Sequence, residues 1–169
     1  MIPTNYFEFL QLEPTIFINE VELKQTLLKL QKQFHPDRFV LESDEKKAWA
    51  EEQSAMVNNA YKTLIHFESR LHYLLKIYQQ ISDADTTNLS PNFLMEMMDL
   101  NELVEEAKSA NNIDAMLPII DNNLAEIVTQ FTVFNNKNAA NFSNDEWQKM
   151  KHLYYQYKYI SRIKENLKS

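Results

Sequence analysis

The sequence contains no glycine and no cysteine among its 169 residues. Average usage near 7% would give about 12 glycines. Because phosphate-cradling loops and the nucleophile elbow of many hydrolases require glycine, the dinucleotide-binding, P-loop and G-x-S-x-G classes are excluded. Hairpin-rich β folds are disfavoured as well, since their tight turns place residues at positive φ. A helical protein needs glycine least, and the 17 asparagines can serve at helix C-termini.

The absence of cysteine excludes disulfides, thiolate metal sites, redox motifs and a cysteine nucleophile. The chain begins without the basic and apolar segments of a signal peptide, and no apolar run approaches the ~20 residues of a membrane span. A net charge of −7 and a pI near 5.1 argue against a protein that coats nucleic acid. We therefore expect a cytoplasmic protein with no membrane and no nucleic-acid partner.

Charge is spread unevenly along the chain. Residues 1–78 sum to −2, residues 83–128 to −9 and residues 129–169 to +4. One interpretation is an acidic helical pair packed beside a basic helix in one bundle. The alternative is that the acidic surface also meets a basic partner.

Two amphipathic helices are predicted in the first half of the chain. Asn19 is an N-cap candidate with a glutamate three residues later. Apolar residues then recur at helical spacing on one face: Leu23, Leu27, Leu30 and Phe34. Pro36 disfavours helical geometry in the residue before it, so this helix should end near the last of these. The second helix starts after Ser43 with a break expected near His66, and the eight-residue loop 35–42 predicts an antiparallel hairpin.

A polar stretch rich in Ser, Asp, Thr and Asn covers residues 79–91 and predicts a linker. It divides the chain into an N-terminal domain over 1–78 and a C-terminal domain over 92–169. At its end, Ser90 is an N-cap candidate and Pro91 suits the first helical position.

Three helices are predicted in the C-terminal domain. The first runs to about Ala110, and the second covers about 114–134 with Pro118 near its first turn. The third starts at a capping box, residues 143–146, and runs to the C-terminus. With glycine absent, the helix ends are assigned to asparagines: Asn111, Asn112 and Asn135. No segment predicts a strand, so the expected fold class is all-α: a helical hairpin with short helices, joined to a three-helix bundle.

The tripeptide His35-Pro36-Asp37 joins the two N-terminal helices. Taken alone it fits a simple turn, in which proline sets φ, aspartate bonds nearby backbone and histidine is polar filler. Here it closes a helix whose exposed face carries Lys29 and Lys32, and Arg38 follows it. Basic residues clustered around a rigid loop tip are typical of a docking site.

Two stretches resemble the J-domain family: Phe34-His35-Pro36-Asp37-Arg38-Phe39 and Val57-Asn58-Asn59-Ala60-Tyr61-Lys62-Thr63-Leu64. Three more resemble HscB, the J-type co-chaperones of iron–sulfur cluster assembly: Asn5-Tyr6-Phe7-Glu8, Arg70 with Tyr73-Leu74-Leu75, and Phe93-Leu94-Met95-Glu96. The resemblance covers nearly the whole chain in order and thins after residue 110. Two departures concern the end of the third helix: residues 66–69 lack the family's proline, and Leu71 stands where a small residue is usual.

The resemblance implies two binding functions and no covalent chemistry. The J-domain would dock on a DnaK-type ATPase chaperone, HscA in this system, and stimulate its ATP hydrolysis. The C-terminal bundle would bind the scaffold protein IscU and deliver it to the chaperone. The implied chaperone-binding residues are His35, Pro36, Asp37, Lys29, Lys32 and Arg38. The predicted scaffold-binding residues, taken from the helical wheel of the first C-terminal helix with one residue of the last helix, are Leu94, Met95, Met98, Asp99, Glu102 and Tyr159.

The first C-terminal helix supports the second function independently. At 100° per residue, one face forms a complete core stripe: Phe93, Met97, Leu100, Val104 and Ala107. Leu94, Met95 and Met98 fall roughly 100–200° away, beside acidic residues, and should be exposed. Exposed apolar residues rimmed by charge indicate an interaction site, and methionine adapts well to a partner surface. Alternatively, Leu94 and Met98 pack on the J-domain or the linker.

Two other function classes stand as alternatives. A generic J-domain co-chaperone would take a different client, so that the C-terminal bundle would not bind an IscU-type scaffold. An enzyme could use His35 and Asp37 as base and carboxylate, but no nucleophile is placed beside them. The four histidines lack the H-x-x-x-H spacing of zinc sites. We therefore expect no enzyme activity, no metal site and no cofactor.

Overall fold

A computed structural model describes residues 5–82 and 89–168, apart from the side chain of Lys168. The central part of the predicted linker, residues 83–88, lies outside the described residues. The described residues form seven α-helices and four short 3-10 turns, and none of them is in a strand, which confirms the all-α fold class. The chain divides into two compact units, the first covering Met1–Tyr78 with Asn136–Asn141 and the second Gln79–Asn135 with Phe142–Ser169.

The first unit contains four helices: α1 (Tyr6–Phe9), α2 (Glu20–Gln33), α3 (Asp44–Ile65) and α4 (Phe67–Ile77). The predicted N-caps are confirmed. The Asn19 side chain accepts hydrogen bonds from the backbone N–H groups of Val21 at 3.0 Å and Glu22 at 3.4 Å. Ser43 Oγ accepts one from the N–H of Lys46 at 3.4 Å. These bonds satisfy N–H groups that have no partner within the helix, so they fix where α2 and α3 begin.

Helices α2 and α3 form the predicted antiparallel hairpin. The pair buries Leu23, Phe34, Ala50, Val57, Ala60 and Leu64. Leu27 and Leu30 are only half-buried. Across the pair, Gln31 Nε2 donates to Asn58 Oδ1 at 2.8 Å. The break predicted near His66 is also confirmed, because this residue separates α3 from α4.

A buried cation ties the first unit together. Arg70 is 4% exposed, and its Nε donates to the carbonyl of Ile16 at 2.7 Å. Its Nη1 donates to the carbonyls of Leu64 and of Ile65, the latter at 3.3 Å. Burial lowers the pKa of Arg70 to about 10, so the guanidinium is still charged at neutral pH. Because the last carbonyls of a helix have no intrahelical partner, the Arg70 side chain serves as the C-terminal cap of α3.

The second unit contains three helices: α5 (Pro91–Ser109), α6 (Met116–Gln130) and α7 (Asn144–Lys168). Ser90 Oγ accepts from the N–H of Phe93 at 3.2 Å, and Pro91 is the first residue of α5, as predicted. The helix expected over 114–134 is divided, since 3-10 turns at Ile113–Ala115 and Phe131–Phe134 flank α6.

The capping box at the start of α7 is complete. Ser143 Oγ accepts from the N–H of Glu146 at 3.3 Å, and Glu146 Oε2 accepts from the N–H of Ser143 at 2.9 Å. Helix α7 packs along α6, and Lys164 Nζ lies 2.6 Å from Asp121 Oδ1 between them. Reciprocal capping thus places the start of the last helix where the sequence predicts it.

Positive φ angles are taken by asparagine and glutamine instead of glycine: Gln11 (57°), Gln79 (55°), Asn111 (52°) and Asn136 (58°). At the end of α5, the N–H of Asn111 donates to the carbonyl of Lys108, and the N–H of Asn112 donates to that of Ala107. This is a Schellman motif, so both asparagines end the helix as predicted. Asn135 has a φ of −56°, and the next residue takes the left-handed conformation instead.

The polar loop before α7 associates with the first unit. The N–H of Ala139 donates to the carbonyl of Pro14 at 2.8 Å, and Asn138 Nδ2 donates to the carboxylate of Glu13. Residues 136–141 therefore group with the first unit, although they fall within the C-terminal domain predicted from the sequence, residues 92–169. Hydrogen bonds between residues 125 positions apart leave no trace in local sequence pattern.

Candidate functional site

The loop between α2 and α3 holds His35-Pro36-Asp37, hereafter the loop motif. Pro36 begins a 3-10 turn, Pro36–Phe39, at a position where its missing N–H leaves no bond unmade. His35 Nδ1 accepts a hydrogen bond from the N–H of Asp37 at 3.3 Å. In a neutral imidazole that accepts this bond, the proton is on Nε2, which then serves as a donor. The same Nδ1 lies 3.5 Å from Asp37 Oδ2, a contact that becomes an ion pair only when the imidazole is protonated.

All three residues of the loop motif are exposed, and three aromatic rings support the turn. The ring of Trp49, in α3, meets the ring of Phe34 edge-on at 5.4 Å and that of Phe39 at 6.1 Å. Phe34 ends α2 and is 7% exposed. The rings thus join the turn that carries the loop motif to both α2 and α3. Sequence pattern did not single out Trp49, which lies in the second turn of α3; its contact with Phe34 is visible only in the structure.

Three cations flank the loop motif. Lys29 and Lys32 are exposed on α2. Arg38 Nη1 donates to the carbonyl of Lys32 at 3.3 Å, so its charge lies at the C-terminal end of α2, which carries partial negative charge. Within the described part of the chain, neither lysine has a carboxylate partner. The surface around the loop motif is therefore suited to an acidic partner.

Helix α5 carries the second predicted surface. The core stripe is buried at Phe93, Met97, Leu100 and Val104, and Ala107 is half-buried. Leu94, Met95 and Met98 are 42%, 64% and 63% exposed, which confirms the expected exposure. Asp99 and Glu102 are exposed as well. These five exposed residues are hereafter the α5 patch.

Tyr159 lies at the border of the α5 patch. Its ring contacts that of Phe93 edge-on at 6.2 Å. Its Oη is 3.5 Å from Nδ2 of Asn101, at the limit of a hydrogen bond. Asn101 lies on the same side of α5 as Leu94 and Met98. Tyr159 thus lies next to the α5 patch, with Asn101 between them.

The second unit also has exposed features that helical periodicity did not predict. Three large apolar residues outside the α5 patch are also exposed: Leu103 (48%), Ile119 (45%) and Val133 (49%). Toward the end of α5, an open, acidic hollow is lined by Glu102, Glu105, Glu106, Ser109 and Ala110. Glu102 belongs to both features, so the acidic surface continues from the α5 patch along the helix.

The described residues show no group of three or more His, Asp or Glu side chains placed to hold a metal ion. In that same part of the chain, every helix is too short or too polar to span a bilayer. What the molecule presents are two exposed surfaces, a cationic loop and an apolar helix face with acidic neighbours.

Comparisons with known proteins identify the family. A family model described as the DnaJ domain matches residues 5–73, and one described as the HSCB C-terminal oligomerisation domain matches residues 89–168. The human iron–sulfur cluster co-chaperone protein HscB is 30% identical over 165 residues, covering 97% of this chain and 67% of that protein. The chain belongs to the HscB family.

Other HscB proteins agree with this assignment. The HscB homologue of Neisseria gonorrhoeae is 35% identical over 114 residues, covering 67% of this chain and 69% of that protein. The crystal structure of human HscB superposes with a TM-score of 0.81 and 28% identity, covering 99% of this chain and 82% of that one. HscB from Vibrio cholerae gives a TM-score of 0.75 and 28% identity over 98% of this chain and 96% of that one. The predicted resemblance and fold are thereby confirmed, and the protein is a J-domain co-chaperone of the iron–sulfur cluster assembly family.

Proposed function

We propose that this protein stimulates the ATPase of a DnaK/HscA-type chaperone and delivers an IscU-type iron–sulfur scaffold to it. The observation that carries the proposal is the exposed loop motif on its 3-10 turn, with Lys29, Lys32 and Arg38 around it. The chain supplies no glycine loop to cradle a phosphate. The ATP chemistry therefore belongs to the chaperone, and this protein acts on it by binding.

The loop surface would contribute both charge and shape. Its cations favour encounter with an acidic face of the chaperone and raise the association rate. On docking, Nε2–H of His35 donates and the carboxylate of Asp37 accepts, in positions already fixed by the 3-10 turn. Because the turn is formed before binding, little conformational entropy is lost when the partner arrives.

The α5 patch would take the scaffold. Leu94, Met95 and Met98 provide apolar anchors, and Asp99 and Glu102 beside them suit a scaffold face with basic residues around an apolar cleft. The loop surface and the patch belong to different compact units. One chain would thus bind both proteins at once and raise the local concentration of scaffold near the chaperone.

The chaperone contact is tested by His35→Gln and, separately, Asp37→Asn. Either change should reduce the steady-state ATPase of a DnaK/HscA-type chaperone to its basal rate, with scaffold affinity unchanged. The matched control is His66→Gln, which alters another exposed histidine of the same unit and should leave stimulation intact. Full stimulation by the loop variants would show that the loop motif is not the chaperone contact.

A further inference from the structure

The turn that follows the loop motif presents two apolar side chains to solvent. Val40 is 61% exposed and Leu41 is 100% exposed; together they are hereafter the apolar tip. Single exposed apolar residues are ordinary on a protein surface. A leucine with its whole side chain in water, next to a second exposed apolar residue, forgoes all the stabilisation that burial provides.

The apolar tip is held from both sides. Before it, the ring of Phe39 packs on Trp49. After it, the N–H of Glu42 donates to the carbonyl of Phe39 at 3.0 Å, and the carboxylate of Glu42 pairs with Lys46 Nζ at 2.7 Å. These contacts flank the tip on both sides, so that inserting it into a partner would cost less backbone entropy than ordering a free loop.

A shallow hollow connects the apolar tip to the loop motif. Pro36, Asp37, Val40, Lys47 and Glu51 line it, and its volume is about 260 Å³. Val40 therefore lines the same hollow as two residues of the loop motif, Pro36 and Asp37. Any partner that covers the loop motif closely must also approach the tip.

We propose that the apolar tip is a second anchor for the same ATPase chaperone, received in an apolar cleft beside the acidic face that meets Lys29, Lys32 and Arg38. This inference rests on the proposed function and adds the chemistry of the partner surface to it. In this proposal the two features have different roles. The loop motif triggers ATP hydrolysis by the chaperone, and the apolar tip increases the affinity for the chaperone. Continuity with the loop motif is what selects the chaperone as the occupant.

The test is a titration of the chaperone's steady-state ATPase with the full chain, without scaffold. Leu41→Ser should raise the half-saturating concentration about tenfold, because a buried leucine contact is lost. Maximal stimulation should stay at the wild-type value, because the loop motif is intact. Leu41→Met, which keeps an apolar side chain, should restore half-saturation to within about twofold.

The matched control is Leu103→Ser, which changes an exposed leucine of the other unit and should leave the titration unchanged. An unaltered half-saturating concentration for Leu41→Ser would overturn the inference, and so would a loss of maximal stimulation alone. If the wild-type protein gives no stimulation, the proposed function itself fails. If His35→Gln abolishes stimulation while Leu41→Ser has no effect, only the apolar tip is excluded.

Discussion

The two exposed surfaces of this protein are built on opposite principles. Around the loop motif, charged and polar groups are fixed by backbone hydrogen bonds and by the rings of Phe34, Phe39 and Trp49. On α5, a rigid helix carries Met95 and Met98, whose side chains have several rotatable bonds and a polarisable sulfur. The first surface suits recognition of one geometry, and the second suits a partner to which it must adapt.

The two units also differ in how their elements are tied together. In the first, the buried guanidinium of Arg70 bonds the end of α3 and the carbonyl of Ile16. In the second, the ion pair of Lys164 with Asp121 is partly exposed, at 31% and 52% of the two side chains. A buried charge bonded to backbone is costly to remove, whereas an exposed pair contributes little.

The largest effect is expected from Arg70→Met. The change leaves buried carbonyls of α3 without a donor and should lower the free energy of unfolding of the first unit by about 3 kcal/mol. Lys164→Met is the matched control in the second unit and should cost under about 1 kcal/mol.

Each unit contains one tryptophan, Trp49 in the first and Trp147 in the second. Urea unfolding followed by fluorescence, with the other tryptophan changed to phenylalanine, reports the two units separately. If Arg70→Met and Lys164→Met lowered the free energy of unfolding equally, the proposed difference between a buried and an exposed charge would be wrong.

The next effect concerns the α5 patch. Changing Leu94, Met95 and Met98 together to alanine should weaken scaffold binding by about 2 kcal/mol or more, since a few central anchors dominate an interface. Isothermal titration calorimetry measures this loss. ATPase stimulation without scaffold should be unchanged, because the loop motif lies in the other unit.

The control for the patch is Ile119→Ala, an exposed apolar residue of the second unit outside α5. It should leave the affinity as in the wild type. A triple variant that binds the scaffold as tightly as the wild type would exclude the patch as the scaffold site.

The smallest effect tests a device that both units share, a helix ended by a residue at positive φ. Gln11→Gly should stabilise the first unit by about 0.5–1 kcal/mol, because glycine adopts this conformation without strain. Asn111→Gly should raise the free energy of unfolding of the second unit by less, since asparagine tolerates a positive φ better than glutamine does. Gln148→Gly, within α7, should instead cost about 1 kcal/mol. Denaturation midpoints measure these changes in stability. A lower midpoint for Gln11→Gly than for the wild type would show that the positive φ of Gln11 is not a source of strain.

Local patterns predicted most of the helices because their ends are chemically marked. Asn19, Ser43, Ser90 and the capping box at residues 143–146 each supply an oxygen for unpaired N–H groups. The exposure of Leu94, Met95 and Met98 followed from helical periodicity, since one core stripe was already complete. Periodicity could not show that residues 136–141 bond to the first unit, because that contact joins distant parts of the chain.

The sequence by itself determined an all-α protein without glycine, the N-terminal caps, the loop motif and the family resemblance, all of which depend on residues near one another in the chain. Only the tertiary structure decided that Arg70 caps α3, that Trp49 supports the loop motif and that Leu41 at the apolar tip is fully exposed. Those depend on which distant groups meet. In the absence of glycine, the positive φ angles that follow helices are taken by Gln11, Gln79 and Asn111, and that after the 3-10 turn at the end of α6 by Asn136.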